Sequence, residues 1–164
     1  MKRILALTLA LMLLLCGCGG GENEGDKTPA DDMGNRVMLH GVYVNVGGEL
    51  TADMLQALGE PDEKTESPNC VYDGAVYDYI YTGFSLQVNQ QEGKNTLLMA
   101  TITDPAYQTE KGVKIGDTAD AVKKAYGEAT GGNNYYLVYA KDGFELTFNF
   151  NNGAVEEIVY AAIH

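Results

Sequence analysis

The side chains in this sequence best suited to nucleophilic attack or metal capture are three cysteines, Cys16, Cys18 and Cys70, and two histidines, His40 and His164. A reactive thiol needs a neighbour that stabilises its thiolate. Neither histidine is close to Cys70 in sequence, and His164 is the last residue, so Cys70 reads as a buried or incidental thiol. Two imidazoles and one thiol also fall short of the clustered tetrahedral set that zinc requires. Acidic stretches such as Pro61-Asp62-Glu63 and Asp117 to Asp120 offer oxygen ligands, but neither has the ligand spacing of a calcium-binding loop. Asp117 and Asp120 instead suit the positive end of a helix dipole. Ser67 and Ser85 stand outside any Gly-x-Ser-x-Gly motif, and carboxylates alone do not define an acid-base pair. The sequence therefore points to no catalytic residue, no metal and no cofactor.

The chemistry that the first cysteines do suggest depends on what precedes them. Lys2 and Arg3 are followed by an apolar run from Ile4 to Leu15 and then by small residues, the pattern of a signal peptide. The run is short of the roughly 20 residues that a helix needs to span a bilayer. Leu15-Cys16-Gly17-Cys18 resembles a bacterial lipobox, with an apolar residue at minus three and a small one at minus one from the modified cysteine. Cys18 fits that pattern better than Cys16, which would put Leu15 beside the cleavage point. The resemblance implies a mature chain that begins at a diacylated Cys18, exported and held on the outer side of the cytoplasmic membrane or in the outer membrane. Two acyl chains anchor far better than one, at ~0.8 kcal/mol per buried CH₂. The alternative is a plain secretory leader with incidental cysteines.

Without Lys2 and Arg3, nine basic residues face 23 acidic ones, a formal charge of −14. Nucleic acid is excluded as a partner on that balance, because a phosphate backbone selects for clustered Lys and Arg. The acidity suits either the solubility of an exported surface or attraction of a basic partner. With Cys18 lipidated, Cys70 has no partner for a disulfide within the folded part.

Residues 1–17 form the leader in this reading, and residues 18–38, rich in Gly, Asp and Glu, form a flexible tether. The domain then spans residues 39–164. Within it the chain says nearly the same thing twice: "GFSLQVN" from Gly83 and "GFELTFN" from Gly143, "TADMLQALGEP" from Thr51 and "TADAVKKAYGEA" from Thr118. The spacing predicts two tandem repeats, about 41–104 and 111–164. In each, a Thr (Thr51, Thr118) caps a short helix and a Gly (Gly59, Gly127) stops it. Met54, Leu55 and Leu58, and Val122, Ala125 and Tyr126, recur at helical spacing.

The turns Thr82-Gly83 and Asp142-Gly143 predict hairpins that pair Tyr81 with Phe84, Tyr79 with Leu86 and Tyr77 with Val88. In the second hairpin they pair Tyr139 with Leu146, Leu137 with Phe148 and Tyr135 with Phe150. Opposed residues share a face, which puts the tyrosine stripe in the core beneath the helices. The other face then carries Asp78, Ile80, Ser85 and Gln87, with Tyr136, Val138, Glu145, Thr147 and Asn149, a mixed polar surface. Two-residue loops at Glu92-Gly93 and Asn152-Gly153 would add Leu98, Ala100, Ile158 and Tyr160 to it, whereas a slip of one residue would turn them inward. The expected fold class is α+β: two tandem repeats, each a short helical segment followed by an antiparallel β-meander, forming a sheet with helices on one face. The candidate protein-binding residues are Asp78, Ile80, Gln87, Tyr136, Glu145, Thr147 and Tyr160.

Leu58-Gly59-Glu60-Pro61 and the lead-in Ile115-Gly116-Asp117-Thr118, each beside a Thr-capped helix and followed by aromatic strands, resemble the repeat of the β-lactamase inhibitor protein superfamily. A single such unit also occurs in the small lipoprotein of the outer-membrane β-barrel assembly machinery. The likeness covers about residues 41–163 and departs at Ala129, where the pattern has Pro. It implies two helix-plus-sheet units side by side, whose concave sheet grips a protein in the inhibitors. The paired cysteines of those inhibitors are missing, and inhibition of a β-lactamase does not follow from fold alone. The function so implied is a lipid-anchored cell-envelope protein that acts as a non-catalytic protein-binding or scaffold module for an envelope protein. The alternatives are a binder of a small ligand or wall polymer, or an envelope enzyme. Metabolic labelling with palmitate should tag the chain, and Cys18→Ser should abolish the label; label lost only in Cys16→Ser would move the anchor.

Overall fold

Local signals that are strong in the sequence set the first level of structure. Thr51 Oγ1 accepts from Met54 N at 3.2 Å and opens helix α1 (Ala52–Leu58), which ends at Gly59 with φ 86°. Thr118 Oγ1 accepts from Ala121 N at 3.3 Å and opens α2 (Ala119–Tyr126), which ends at Gly127 with φ 81°. A β-region Thr supplies the acceptor that the first turn lacks, and Gly takes the left-handed φ that closes the last one. A computed structural model describes residues 34–163; the leader, Cys18, residues 18–33 of the tether and His164 lie outside the described residues.

Ten strands accompany the helices. β1 (Arg36–Leu39) and β2 (Val42–Asn45) form a small hairpin of their own. β3 (Glu63–Ser67), β4 (Ala75–Tyr81), β5 (Phe84–Gln91), β6 (Lys94–Ile102), β7 (Gly131–Gly132), β8 (Tyr136–Lys141), β9 (Phe144–Asn151) and β10 (Ala154–Ala162) build one antiparallel sheet. Its order is β3-β4-β5-β6-β10-β9-β8-β7. The β4–β5 and β8–β9 hairpins take the register that their turns dictate, Tyr79 opposite Leu86 and Tyr139 opposite Leu146. Tyr135 continues the second hairpin by accepting from Phe150 N at 2.7 Å.

The architecture differs from the expected α+β tandem repeat. The structure is mostly β, with 51% of the described residues in strands and bridges and 12% in two helices, as an eight-stranded antiparallel sheet plus a two-stranded one. The physical reason lies in how little the helices cover. α1 has seven residues and buries Leu58, while α2 has eight and buries Val122 and Tyr126. The rest of the core face is closed by the β1–β2 hairpin, through Val37, Leu39 and Val44, and by Val46, Leu50 and Val113 from loops. Residues 36–38, expected in the tether, are therefore strand, with Val37 fully buried. The edges are also unalike: β3 has five residues, and β7 is a two-residue Gly131-Gly132 strand.

The core is one cluster. Tyr79, Tyr81, Phe84, Leu86 and Val88 from one hairpin join Leu137, Tyr139, Leu146 and Phe148 from the other. Full burial of each such side chain contributes about 1.5–3 kcal/mol. The tyrosine hydroxyls keep partners at the helix ends. Tyr81 donates to Gly59 O at 3.3 Å and Tyr139 to Gly127 O at 3.1 Å, so each helix C-terminus is tied to the strand beneath it. His40, at the β1–β2 turn, lies edge-on to Phe84 with ring centroids 5.1 Å apart, and its Nδ1 is 2.7 Å from Leu58 O.

Burial pushes the Tyr126 phenol up to about 12 and that of Tyr160 well above its ordinary value. A raised folded-state value means that the unfolded chain ionises first. The contribution is fully present below about pH 10 and is lost as pH rises toward the folded value, at about 1.4 kcal/mol per pH unit for each tyrosine. Urea midpoints should hold to about pH 10 and then fall, and Tyr126→Phe should make the fall shallower by about one proton. An unchanged slope would mean that Tyr126 titrates alike in both states.

Candidate functional site

One face of the eight-stranded sheet carries the core, and the strand alternation delivers every second side chain to the other. One row on that other face crosses all eight strands, as Glu63, Ile80, Ser85, Thr101, Val159, Thr147, Val138 and Gly131 stand opposite one another in turn. At ~4.8 Å between strands the row is roughly 34 Å long. Beside it runs a second row, Thr65, Asp78, Gln87, Met99, Ala161, Glu145 and Ala140. The surface is thus aliphatic and hydroxylic along its middle, with Asp78 and Glu145 on one side of that row, Glu157 on the other, and Glu63 at its end.

Asp78, Glu145 and Glu157 are held by neutral donors. Asp78 accepts from Ser67 Oγ and, at 3.0 Å, from Gln87 Nε2. Glu145 accepts from Thr147 Oγ1 at 3.1 Å, and Glu157 from Asn149 Nδ2 at 2.6 Å. Of the strand positions on this face, Lys94 at the β5–β6 turn is the one cation among the described residues, against Glu63, Asp78, Glu145 and Glu157. A carboxylate can accept about four hydrogen bonds, so each keeps capacity for a further donor.

The structure brings six of the seven residues expected from sequence onto this face: Asp78, Ile80, Gln87, Tyr136, Glu145 and Thr147. Ile80 and Tyr136 are its exposed large hydrophobic side chains, at 38% and 39%. Tyr160 does not belong to it. It is 1% exposed and packs in the core beside Phe144, with ring centroids 5.9 Å apart. The loops at Glu92-Gly93 and Asn152-Gly153 are indeed two residues long, since Gln91 pairs with Lys94 and Asn151 with Ala154. A β-bulge follows in each third strand, between the pairs Gln87–Met99 and Val88–Leu97, and between Val155 and Glu157. One extra residue reverses every later side chain. Ala100, Ile158 and Tyr160 therefore turn inward, and Leu98 is the extra residue of β6.

The same reversal adds residues that sequence reasoning missed: Met99, Thr101, Glu157, Val159 and Ala161. A signal for it exists in β10, where Val155, Ile158 and Tyr160 are spaced by three and then two around the polar pair Glu156-Glu157. In β6 the continuous run Leu97-Leu98-Met99 masks the same spacing.

Other chemistry is sparse. Among the described residues, no three His, Cys, Asp or Glu side chains are grouped to hold a metal. Cys70 is exposed, so the incidental reading of it stands rather than the buried one. A cleft of about 340 Å³ lies on the helical side between α1 and β4, lined by Leu55, Gln56, Gly59, Glu60, Pro61, Tyr79 and Tyr81. It holds no nucleophile paired with a base. No helix of the described residues is long and apolar enough to cross a membrane. The chain matches no protein-family model, no curated protein and no solved structure.

The two candidate tyrosines should behave in opposite ways. Tyr160→Ala is expected to cost about 3–5 kcal/mol of unfolding free energy, as for a large aromatic lost from a core. Tyr136→Ala should cost about 0.5 kcal/mol or less, as at a surface site. Denaturant unfolding of both variants measures the difference, and equal costs would contradict the bulged register of β10.

Proposed function

We propose that this protein is an exported, lipid-anchored module of the cell envelope with no catalytic role, and that it docks a protein partner on the open face of its eight-stranded sheet. The observation that carries the reading is the extent of that face: roughly 34 Å across eight strands, with aliphatic and hydroxyl side chains along its middle and no residue of its two central rows buried. An antiparallel sheet can leave one face to water, but solvent alone does not account for Ile80, Met99, Val159 and Val138 on it. Contiguous apolar surface rimmed by polar groups is what protein interfaces use.

Two features of the sequence support the rest of the proposal. The lipobox-like Leu15-Cys16-Gly17-Cys18 supports a membrane anchor, and the Gly- and acid-rich composition of the residues that follow supports a tether. The resemblance of Leu58-Gly59-Glu60-Pro61 and Ile115-Gly116-Asp117-Thr118 to the β-lactamase inhibitor protein superfamily points the same way, since those proteins grip partners on a sheet surface. No role in β-lactamase inhibition is part of the proposal.

Crosslinking of the full-length lipidated protein in native envelopes, followed by recovery of the adduct, tests this reading. The expected result is one stoichiometric protein that is lost when Tyr136→Ala and Glu145→Lys are combined, while the variant keeps its unfolding midpoint. Crosslinks indifferent to those substitutions would put the contact elsewhere on the molecule. Recovery of a wall polymer or a small ligand, with no protein, would overturn the protein-docking assignment.

A further inference from the structure

We infer that the occupant of the open face is a cationic protein segment, one that lays Lys or Arg side chains against Asp78 and Glu145 with uncharged residues between them. The inference rests on the docking reading above and names the chemistry of the partner. Its first support is charge complementarity. Glu63, Asp78, Glu145 and Glu157 share this face with Lys94 as the one cation at its strand positions, and the whole chain carries a formal charge of −12. Asp78, Glu145 and Glu157 accept hydrogen bonds from Ser67, Gln87, Thr147 and Asn149, all neutral. These contacts orient the carboxylates without cancelling their charge, and their remaining lone pairs suit the charge-assisted bonds that guanidinium or ammonium groups donate.

A second and independent observation concerns Asn89. It stands on the same face as Gln87, two residues along β5 and opposite Val76 and Thr96. It is only 8% exposed, and its Oδ1 meets no donor among the described residues. A buried acceptor without a donor is uncommon in folded proteins and marks a place where a donor gains most. Both observations call for a donor, and neither calls for an anion.

The register sets the length of the segment. Asp78 and Glu145 are linked by Gln87, Met99 and Ala161 in one row, four strand spacings apart. At ~4.8 Å each, the carboxylates are about 19 Å from one another along the sheet. An extended chain advances ~3.3 Å per residue, so cations six positions apart reach both. Met99 and Ala161 beneath the middle favour uncharged residues between them.

The test uses the full-length protein in a neutral detergent and the capped peptide Lys-Thr-Val-Thr-Val-Thr-Lys, with a peptide carrying Glu at both ends as control. Calorimetric titration at low salt should detect the lysine peptide and not its acidic counterpart. Asp78→Asn and Glu145→Gln should each weaken binding about threefold, Asn89→Leu by a similar factor, and salt at about 0.5 M should reduce it further. Unfolding midpoints of the variants separate lost binding from lost fold, and Glu145→Gln, whose amide oxygen still accepts from Thr147, is the variant that best keeps the fold. Equal binding of both peptides, or lysine-peptide binding indifferent to Asp78 and Glu145, would overturn the inference. If no lysine peptide binds while the envelope crosslink still depends on Tyr136, the cationic partner is refuted and the docking face stands. If the crosslink is also indifferent to this face, both fall together.

Discussion

The pairing of β10 with β6 is the contact on which the rest of the structure depends. Tyr160 opposite Ala100 and Ile158 opposite Ile102 join two four-stranded antiparallel halves, β3 to β6 and β7 to β10, edge to edge. Without that join, each half would have an open edge and a core face too small to close under a helix of seven or eight residues. With it, the tyrosine and phenylalanine stripes of both hairpins line one continuous surface, and a single cluster of buried side chains spans both halves. The open face is continuous for the same reason.

Both strands of that pairing carry a bulge. Each extra residue, Leu98 in β6 and the position between Val155 and Glu157 in β10, changes which side of the sheet the rest of its strand addresses. Small Ala100 and large Tyr160 then meet on the core side, where the ring packs beside Phe144. Threonine, methionine, valine and alanine at Thr101, Met99, Val159 and Ala161 are delivered to the open side. One local irregularity thus settles both the core and the composition of the surface proposed to bind.

The helices follow from the sheet more than they organise it. A seven- or eight-residue helix is marginal alone in water, and these two are held where tyrosine hydroxyls from β4 and β8 bond their C-terminal Gly59 and Gly127 carbonyls. His40 adds a further contact to the end of α1 through Leu58 O. The β1–β2 hairpin closes the space that the helices leave, which makes the segment just after the acid-rich stretch part of the fold.

Much of the local structure was legible in the sequence alone. Thr51 and Thr118, Gly59 and Gly127, and the Thr82-Gly83 and Asp142-Gly143 turns determined helix ends and hairpin register, because caps and tight turns are decided by a few adjacent residues. Strict alternation likewise placed Asp78, Ile80, Gln87, Tyr136, Glu145 and Thr147 on one face. The fold class and Tyr160 were decided only by the tertiary structure. The similar heptads at Gly83 and Gly143 suggested two helix-plus-meander units, whereas the sheet they enter is one eight-stranded, mostly β structure with unlike edges and a separate hairpin over its core. Strand pairing between residues as distant as Ala100 and Tyr160 leaves no local signature. A bulge costs one residue of pattern yet reverses every side chain after it, and whether the chain adopts it depends on packing across the sheet.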